Sequence, residues 1–162
     1  MDIRIARVAD LSDRCHLNRW ELLRYGSNPE NIAVDLRASL DRDVPRERLA
    51  LVLTATYTYM RGMIKRPLLE YAVVAEFEIP GMSAYVEFSP SRETVSVPPS
   101  LMNLMLCVAV GALRGMIARK TSGTPLENHP LPLINISSLV SKLIYGERAD
   151  NRVIPLEEPV CG

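Results

Sequence analysis

The chain has 162 residues, of which 48% are apolar and 23% are charged. This length and composition are those of one packed globular domain, and they exclude wholesale disorder. Its 19 basic and 19 acidic side chains leave no formal net charge, which argues against a general nucleic-acid binder. The three cysteines, Cys15, Cys107 and Cys161, form no paired motif, and residues 1–7 do not resemble a signal peptide. We therefore expect a soluble protein of a reducing, cytoplasmic compartment.

Alternation of apolar and polar residues predicts strands in the first half of the chain. The clearest alternation covers residues 32–41, 49–60 and 69–79. Residues 61–67 are interpreted as a connecting loop, and the short connections predict an antiparallel meander. A shorter alternation over residues 3–8 predicts an earlier strand. Residues 13–25 are ambiguous, because they combine helix-like spacing of Trp20 and Leu23 with mixed charges.

The second half of the chain predicts two helices. A proline pair at residues 98–99 suits a first helical turn, and the apolar segment after it predicts a long helix that ends near Lys120. A shorter helix is predicted over residues 135–144. Because the strands come first and the helices last, we expect an α+β fold with the helices on one face of an antiparallel sheet. Residues 1–145 then form one domain, and residues 146–162 form a C-terminal tail.

The long predicted helix is apolar on almost every side. Its uninterrupted apolar run, residues 104–113, lies between Asn103 and Arg114 and is shorter than the roughly 20 residues of a membrane span. We therefore expect no membrane partner, but the side of this helix away from its sheet needs a cover. A second copy of the chain is the simplest cover, and the alternative is that the helix glycines face the parent sheet. The candidate interface residues are Leu104, Met105, Val108, Gly111, Ala112 and Gly115.

The sequence contains few groups that carry chemistry. No nucleotide-binding, metalloprotease or hydrolase motif is present, and the histidines are His16 and His129 only. No cluster offers the three or four ligands that zinc needs. We therefore predict a non-catalytic protein without cofactor or metal. The alternative is a small enzyme in which His129 acts with a carboxylate as an acid–base pair.

Two surface patterns bear on binding. A row of three carboxylates lies on one face of a predicted strand: Glu70, Glu76 and Glu78. Such a row is typical of the solvated side of a half-buried strand. Three tyrosines lie on the apolar faces of neighbouring strands: Tyr57, Tyr59 and Tyr71. Core packing explains them, and the alternative is an adaptable apolar surface for extended peptides, to which the seven methionines would contribute.

Several motifs in residues 29–145 resemble the SecB protein-export chaperone family. The first is PENIAVDL at residues 29–36, which opens a strand, followed by the strands LVLTATYTY and YAVVAEFEI. The C-terminal block is the most specific: Val97-Pro98-Pro99 before the long helix, Gly-Thr-Pro at residues 123–125, and LINISSL at residues 133–139. This chain departs from the family in having Leu133 where a proline is usual, and in its neutral charge.

The resemblance implies a four-stranded antiparallel sheet with two helices. It also implies a dimer or tetramer with the long helix between subunits, and apolar grooves beside the sheet and helix loops that hold unfolded polypeptides. On this basis we expect a cytoplasmic, chaperone-like protein that binds unfolded or partly folded clients, with export as one use. The alternative is an adaptor on the same scaffold that binds one dedicated protein partner.

The resemblance also suggests which residues take part. Candidate client-binding residues are Trp20, Tyr57, Tyr59, Tyr71, Leu131 and Leu133. Members of the family pass clients to an export motor through an acidic sheet face. The candidate partner-docking residues here are accordingly Glu70, Glu76 and Glu78.

Overall fold

The structure is a computed structural model that describes residues 2–15, 18–88, 95–144 and 152–155. Its first half contains β1 (Arg4–Cys15), α1 (Arg19–Gly26), β2 (Ile32–Asp43), β3 (Arg48–Arg61) and β4 (Ile64–Glu78). Two short paired strands follow, β5 (Glu87–Phe88) and β6 (Val95–Ser96). The second half contains α2 (Pro99–Thr121), α3 (Ile136–Ile144) and β7 (Arg152–Pro155).

The main sheet confirms the predicted α+β fold. Its central order is β1-β4-β3-β2, with every neighbouring pair antiparallel. The meander of β2, β3 and β4 is as predicted, and β1 lies beside β4. The segment between β1 and β2, which contains α1, therefore carries the chain from one edge of the four-stranded unit to the other.

Part of the predicted tail belongs to the sheet. β7 pairs antiparallel with β2 and adds a fifth strand at that edge, which the sequence did not predict. The rest of the tail, residues 146–151 and 156–162, lies outside the described residues.

The connection between β3 and β4 corrects one prediction. The loop expected over residues 61–67 is wrong, because β3 continues to Arg61 and pairs there with Ile64, the first residue of β4. Only Gly62 and Met63 form the turn, and Gly62 has φ 57. A positive φ at the first of two central residues is the pattern of a type II′ hairpin turn. Residues 64–67 do not alternate in polarity and are all exposed, so periodicity could not identify them as strand.

The core lies between one face of the sheet and α2. Alternate residues of β3 from Leu49 to Tyr59 are buried on that face. One side of α2 is fully buried against them, at Leu101, Met105, Leu106, Ala109, Leu113 and Ile117. By length and composition, α2 is the one described helix apolar enough to cross a membrane, a test that buried core helices also meet.

Candidate functional site

An open cavity lies between two chain segments on the helix side of the protein. We call residues 18–31 the crossover, which contains α1, and residues 122–135 the connector, which joins α2 to α3. The cavity has a volume of about 540 Å³. Its lining residues are Leu23, Ser27 and Pro29 from the crossover, and Gly123, Pro125, Asn128 and His129 from the connector.

Short-range contacts hold the crossover in place. Asn18 caps α1, because its side chain accepts from the Glu21 amide at 3.0 Å while the Glu21 carboxylate accepts from the Asn18 amide. At the other end of α1, Gly26 is buried against the connector. A Cβ added there would lie 3.3 Å from Cβ of Pro125, so glycine permits a close approach of the two segments.

A histidine joins the same two segments. His129 Nε2 lies 3.0 Å from the carbonyl oxygen of Gly26. Because a carbonyl oxygen only accepts, Nε2 carries the proton in this contact. Ser27, which also lines the cavity, donates its hydroxyl to the carbonyl of Leu23 at 2.6 Å. Both polar side chains are thus engaged by backbone, which suits a structural role better than a catalytic one.

The connector is held against α2 by Arg114. The guanidinium donates to the carbonyl of Leu131 at 3.4 Å and to that of Pro132 at 3.1 Å. Leu126 and Leu131 are buried below these bonds and add the connector to the core. These contacts fix the connector, which supplies four of the lining residues, to the main fold.

Large apolar side chains are exposed on both segments that form the cavity. Trp20 is 80% exposed, and Leu23 lies one turn later on the same face of α1. In the connector, Leu133 is 79% exposed. Exposed apolar groups of this size, one of them lining a cavity, are typical of a binding surface.

The structure separates the six predicted client-binding residues into two sets. Trp20 and Leu133 are exposed. The other four are buried: Tyr57, Tyr59, Tyr71 and Leu131. The tyrosines point from the sheet toward α2, and Tyr59 also packs on Tyr25 with ring centroids 5.0 Å apart. These four side chains are not accessible to a client in this structure, and their replacement would disturb the core.

None of the seven lining residues is among the predicted client-binding residues, and His129 entered the sequence analysis only through the enzyme alternative. A signal for Leu23 was present, since it follows Trp20 at the i,i+3 spacing of a helix face. Nothing in the local sequence indicates that Pro29 and Pro125 meet, because they are far apart in the chain and come together only through the fold.

Two tyrosine hydroxyls on the helix-facing side of the sheet differ in their partners. The Tyr57 hydroxyl is buried and has no hydrogen-bond partner among the described residues. Burial raises the pKa of Tyr57, while the positive charge of Arg114 opposes the rise. The Tyr71 hydroxyl donates to Oδ1 of Asp10 at 2.6 Å. Burial, followed by this hydrogen bond, raises the pKa of Tyr71 to about 12. The two groups thus offer a direct comparison of a satisfied and an unsatisfied hydroxyl.

The predicted docking carboxylates lie on the sheet face that points away from α2. Glu76 pairs with Arg7 at 3.7 Å, and Glu78 pairs with Arg48 at 3.9 Å. Glu70 lies opposite Arg14 in the register of β1 and β4. Arginines from adjacent strands therefore accompany all three glutamates, and this face carries mixed charge where the resemblance implies an acidic one.

The outer side of α2 is lined by small and apolar residues. Gly111 and Gly115 are exposed. Apart from the backbone of α2 itself, no atom of the described residues lies within 4 Å of an added Cβ at either position, so they do not face the parent sheet. Leu104 is exposed as well, while Val108 and Ala112 are half-buried. Met105, the sixth predicted interface residue, is fully buried on the sheet side of the helix.

The described residues contain no group of three or more histidine, cysteine, aspartate or glutamate side chains that could hold a metal ion. The cavity beside His129 has no carboxylate among its lining residues, so the acid–base pair of the enzyme alternative is not assembled there.

No protein-family model matches this chain, and a search of curated proteins finds no match either. The resemblance to the SecB family therefore depends on the sequence motifs. The structure has an α+β fold in which a four-stranded antiparallel sheet packs against a long helix.

Proposed function

We propose that this chain is a SecB-like, non-catalytic protein that binds unfolded or partly folded polypeptides in the groove between crossover and connector. The observation that carries this proposal is the pair of exposed apolar side chains on one face of α1, where Leu23 lines the cavity and Trp20 lies one turn before it. An exposed tryptophan loses contact with water when a ligand covers it, which favours association.

The shape and chemistry of the groove suit an extended peptide. It is open, and its lining combines leucine and two prolines with three polar side chains, of which Ser27 and His129 are engaged by backbone. Recognition would therefore depend on burial of apolar client side chains, which tolerates many client sequences. This is the property that a holding chaperone needs, and it requires no cofactor.

The proposal includes a homo-oligomer in the cytoplasm. The exposed stripe of Leu104, Gly111 and Gly115 on α2 supports packing against a second copy, since the glycines would allow two helix backbones to approach closely. The arginines beside Glu76 and Glu78 give no support to an acidic docking face, so transfer of clients to an export motor is the weakest part of the resemblance.

The test measures the mass of the full chain on a sizing column, with and without a reduced and alkylated unfolded protein. We expect the oligomer to gain one client mass. A variant carrying Trp20→Ser and Leu23→Ser should bind the client at least about tenfold more weakly, because each substitution removes an apolar side chain that the bound client would bury. The matched control is Leu11→Ser, which removes an exposed leucine from β1, away from the groove.

The outcomes separate the alternatives. Equal weakening by the groove variant and the control would overturn the assignment of the groove. An oligomer that ignores unfolded proteins but captures one cellular protein through Trp20 would identify a dedicated adaptor. Unfolding temperatures of all variants should be measured, since exposed substitutions of this kind change stability little.

A further inference from the structure

The β3–β4 hairpin extends beyond both of its neighbours in the sheet. β2 accompanies β3 only as far as the pair Ile32–Tyr59, and β1 accompanies β4 only from the pair Cys15–Leu69. Residues 60–66, which we call the hairpin tip, therefore form a two-stranded ribbon that no strand flanks in the described part of the chain. The tip is a narrow, convex projection.

The tip combines exposed apolar and basic side chains. Its sequence is MRGMIKR, and Met63 at the turn is fully exposed, with Met60 and Ile64 about half exposed beside it. Arg61, Lys65 and Arg66 are exposed and form no ion pair with another described residue. No acidic residue occurs between Thr58 and Glu70, although the whole chain has no formal net charge.

The fold itself does not require this composition. The turn needs Gly62 for its positive φ, but its second position is open to polar residues, which dominate exposed turns. Methionine and isoleucine there gain nothing from the core, because the tip lies beyond it. An apolar tip with basic flanks is therefore unexplained by folding, and a binding partner is its simplest explanation.

We infer that the hairpin tip is a contact site for an anionic lipid surface. Met63 and Ile64 enter the boundary between head groups and acyl chains, and Arg61, Lys65 and Arg66 contact lipid phosphates. This arrangement follows the general pattern of interfacial membrane binding, in which a small apolar insertion acts together with basic side chains. The contact is peripheral, and α2 keeps its packing on the sheet.

The shape of the tip favours a bilayer over a protein partner. A stable protein interface buries about 800 Å² on each side, which a ribbon of this length cannot supply by itself. A bilayer accepts insertion of a few side chains. The flanking basic side chains strengthen this binding by attraction to anionic lipids, which requires no complementary protein surface. The sequence alone led us to expect no membrane partner, and this inference replaces that expectation with a peripheral contact. It does not depend on the groove.

The test is flotation of the full chain with lipid vesicles at low salt. We expect binding to phosphatidylcholine vesicles with about 30% phosphatidylglycerol to be at least about tenfold stronger than to phosphatidylcholine alone. About 0.5 M NaCl should remove most of this preference. Met63→Ser with Ile64→Ser, and separately Lys65→Gln with Arg66→Gln, should each weaken binding at least about tenfold. Leu11→Ser should leave binding unchanged.

Three outcomes would overturn the inference. The first is no flotation with the anionic vesicles, and the second is flotation that neither tip variant weakens. The third is binding of polyglutamate that both tip variants abolish while vesicle binding is absent, which would assign the tip to an acidic protein partner. The unfolding temperature and client binding of each tip variant serve as controls, because the tip lies outside the core and the groove.

Discussion

Removal of the Tyr57 hydroxyl should stabilise the protein. In the described part of the chain this hydroxyl is buried, with no hydrogen-bond partner, on a side chain that is 0% exposed. A buried polar group left without a partner costs about 1–3 kcal/mol, the free energy of its lost hydration. Tyr57→Phe removes that cost and keeps the ring, so we expect the free energy of unfolding to rise by about 1–2 kcal/mol.

Tyr71→Phe is the matched control. Tyr71 lies on the same face of the sheet and is also buried, but its hydroxyl donates to Asp10 at 2.6 Å. A hydrogen bond to a carboxylate contributes about 1.5–3 kcal/mol, and its removal also leaves Asp10 without this donor. The same chemical change should therefore lower the free energy of unfolding here by about 1–3 kcal/mol.

The assay is urea unfolding at neutral pH and at one fixed protein concentration, since an oligomer's stability depends on concentration. Opposite signs for the two variants, with unchanged m-values, would support the reasoning. A loss of stability in Tyr57→Phe as large as that in Tyr71→Phe would refute it. That result would mean that the Tyr57 hydroxyl has a partner, such as a bound water, and that its burial is compensated.

Three further predictions follow from the same contacts. The free energy of unfolding should fall as the pH rises from about 10, the pKa of an unfolded tyrosine, through the Tyr71 pKa of about 12, because the folded state holds the hydroxyl protons of Tyr57 and Tyr71 more tightly than the unfolded state does. Urea titrations at a series of pH values measure this decline, and Tyr71→Phe should flatten it. Gly111→Ala with Gly115→Ala should raise the stability of the protomer by up to about 1 kcal/mol for each change, yet weaken self-association. Self-association is measured as light-scattering mass against protein concentration, and an unchanged mass would show that these glycines are not in the interface. Arg114→Met should speed amide hydrogen exchange in residues 122–135 but not in β3, since the connector loses two side-chain donors; equal exchange in the parent and variant would show that these bonds do not hold the connector.

The sequence was sufficient for the strands whose polarity alternates along their full length. β2 and β3 show period-two alternation, so their position and the two sets of residues that share a face could be read directly, whereas which face is buried could not, because both faces of β3 are fairly apolar. The α+β order and the start of α2 after the proline pair were equally accessible. Each of these features is local, because it depends on residues within one element.

What the sequence could not reveal was the depth of burial. Tyr57 and Tyr59 share a strand face with Leu53, and parity alone cannot tell whether α2 covers the whole length of that face. The structure buries all three, which removes the tyrosines from the accessible groove. The pairing of β1 with β4 and of β7 with β2 is likewise a long-range property that periodicity does not encode.

The two glycines of α2 lower the helix propensity of the single chain, and self-association explains their presence. In a helix interior, glycine lowers stability by about 1 kcal/mol relative to alanine. Within the described part of the protomer nothing accounts for this loss, because outside α2 no described atom lies within 4 Å of a Cβ at Gly111 or Gly115. A backbone that approaches from outside would account for it, and the neighbouring exposed Leu104 would gain cover from the same contact. Leu104, Gly111 and Gly115 therefore indicate a partner on the outer side of α2, since the fold of one chain does not require them. We expect this partner to be α2 of a second copy of the chain.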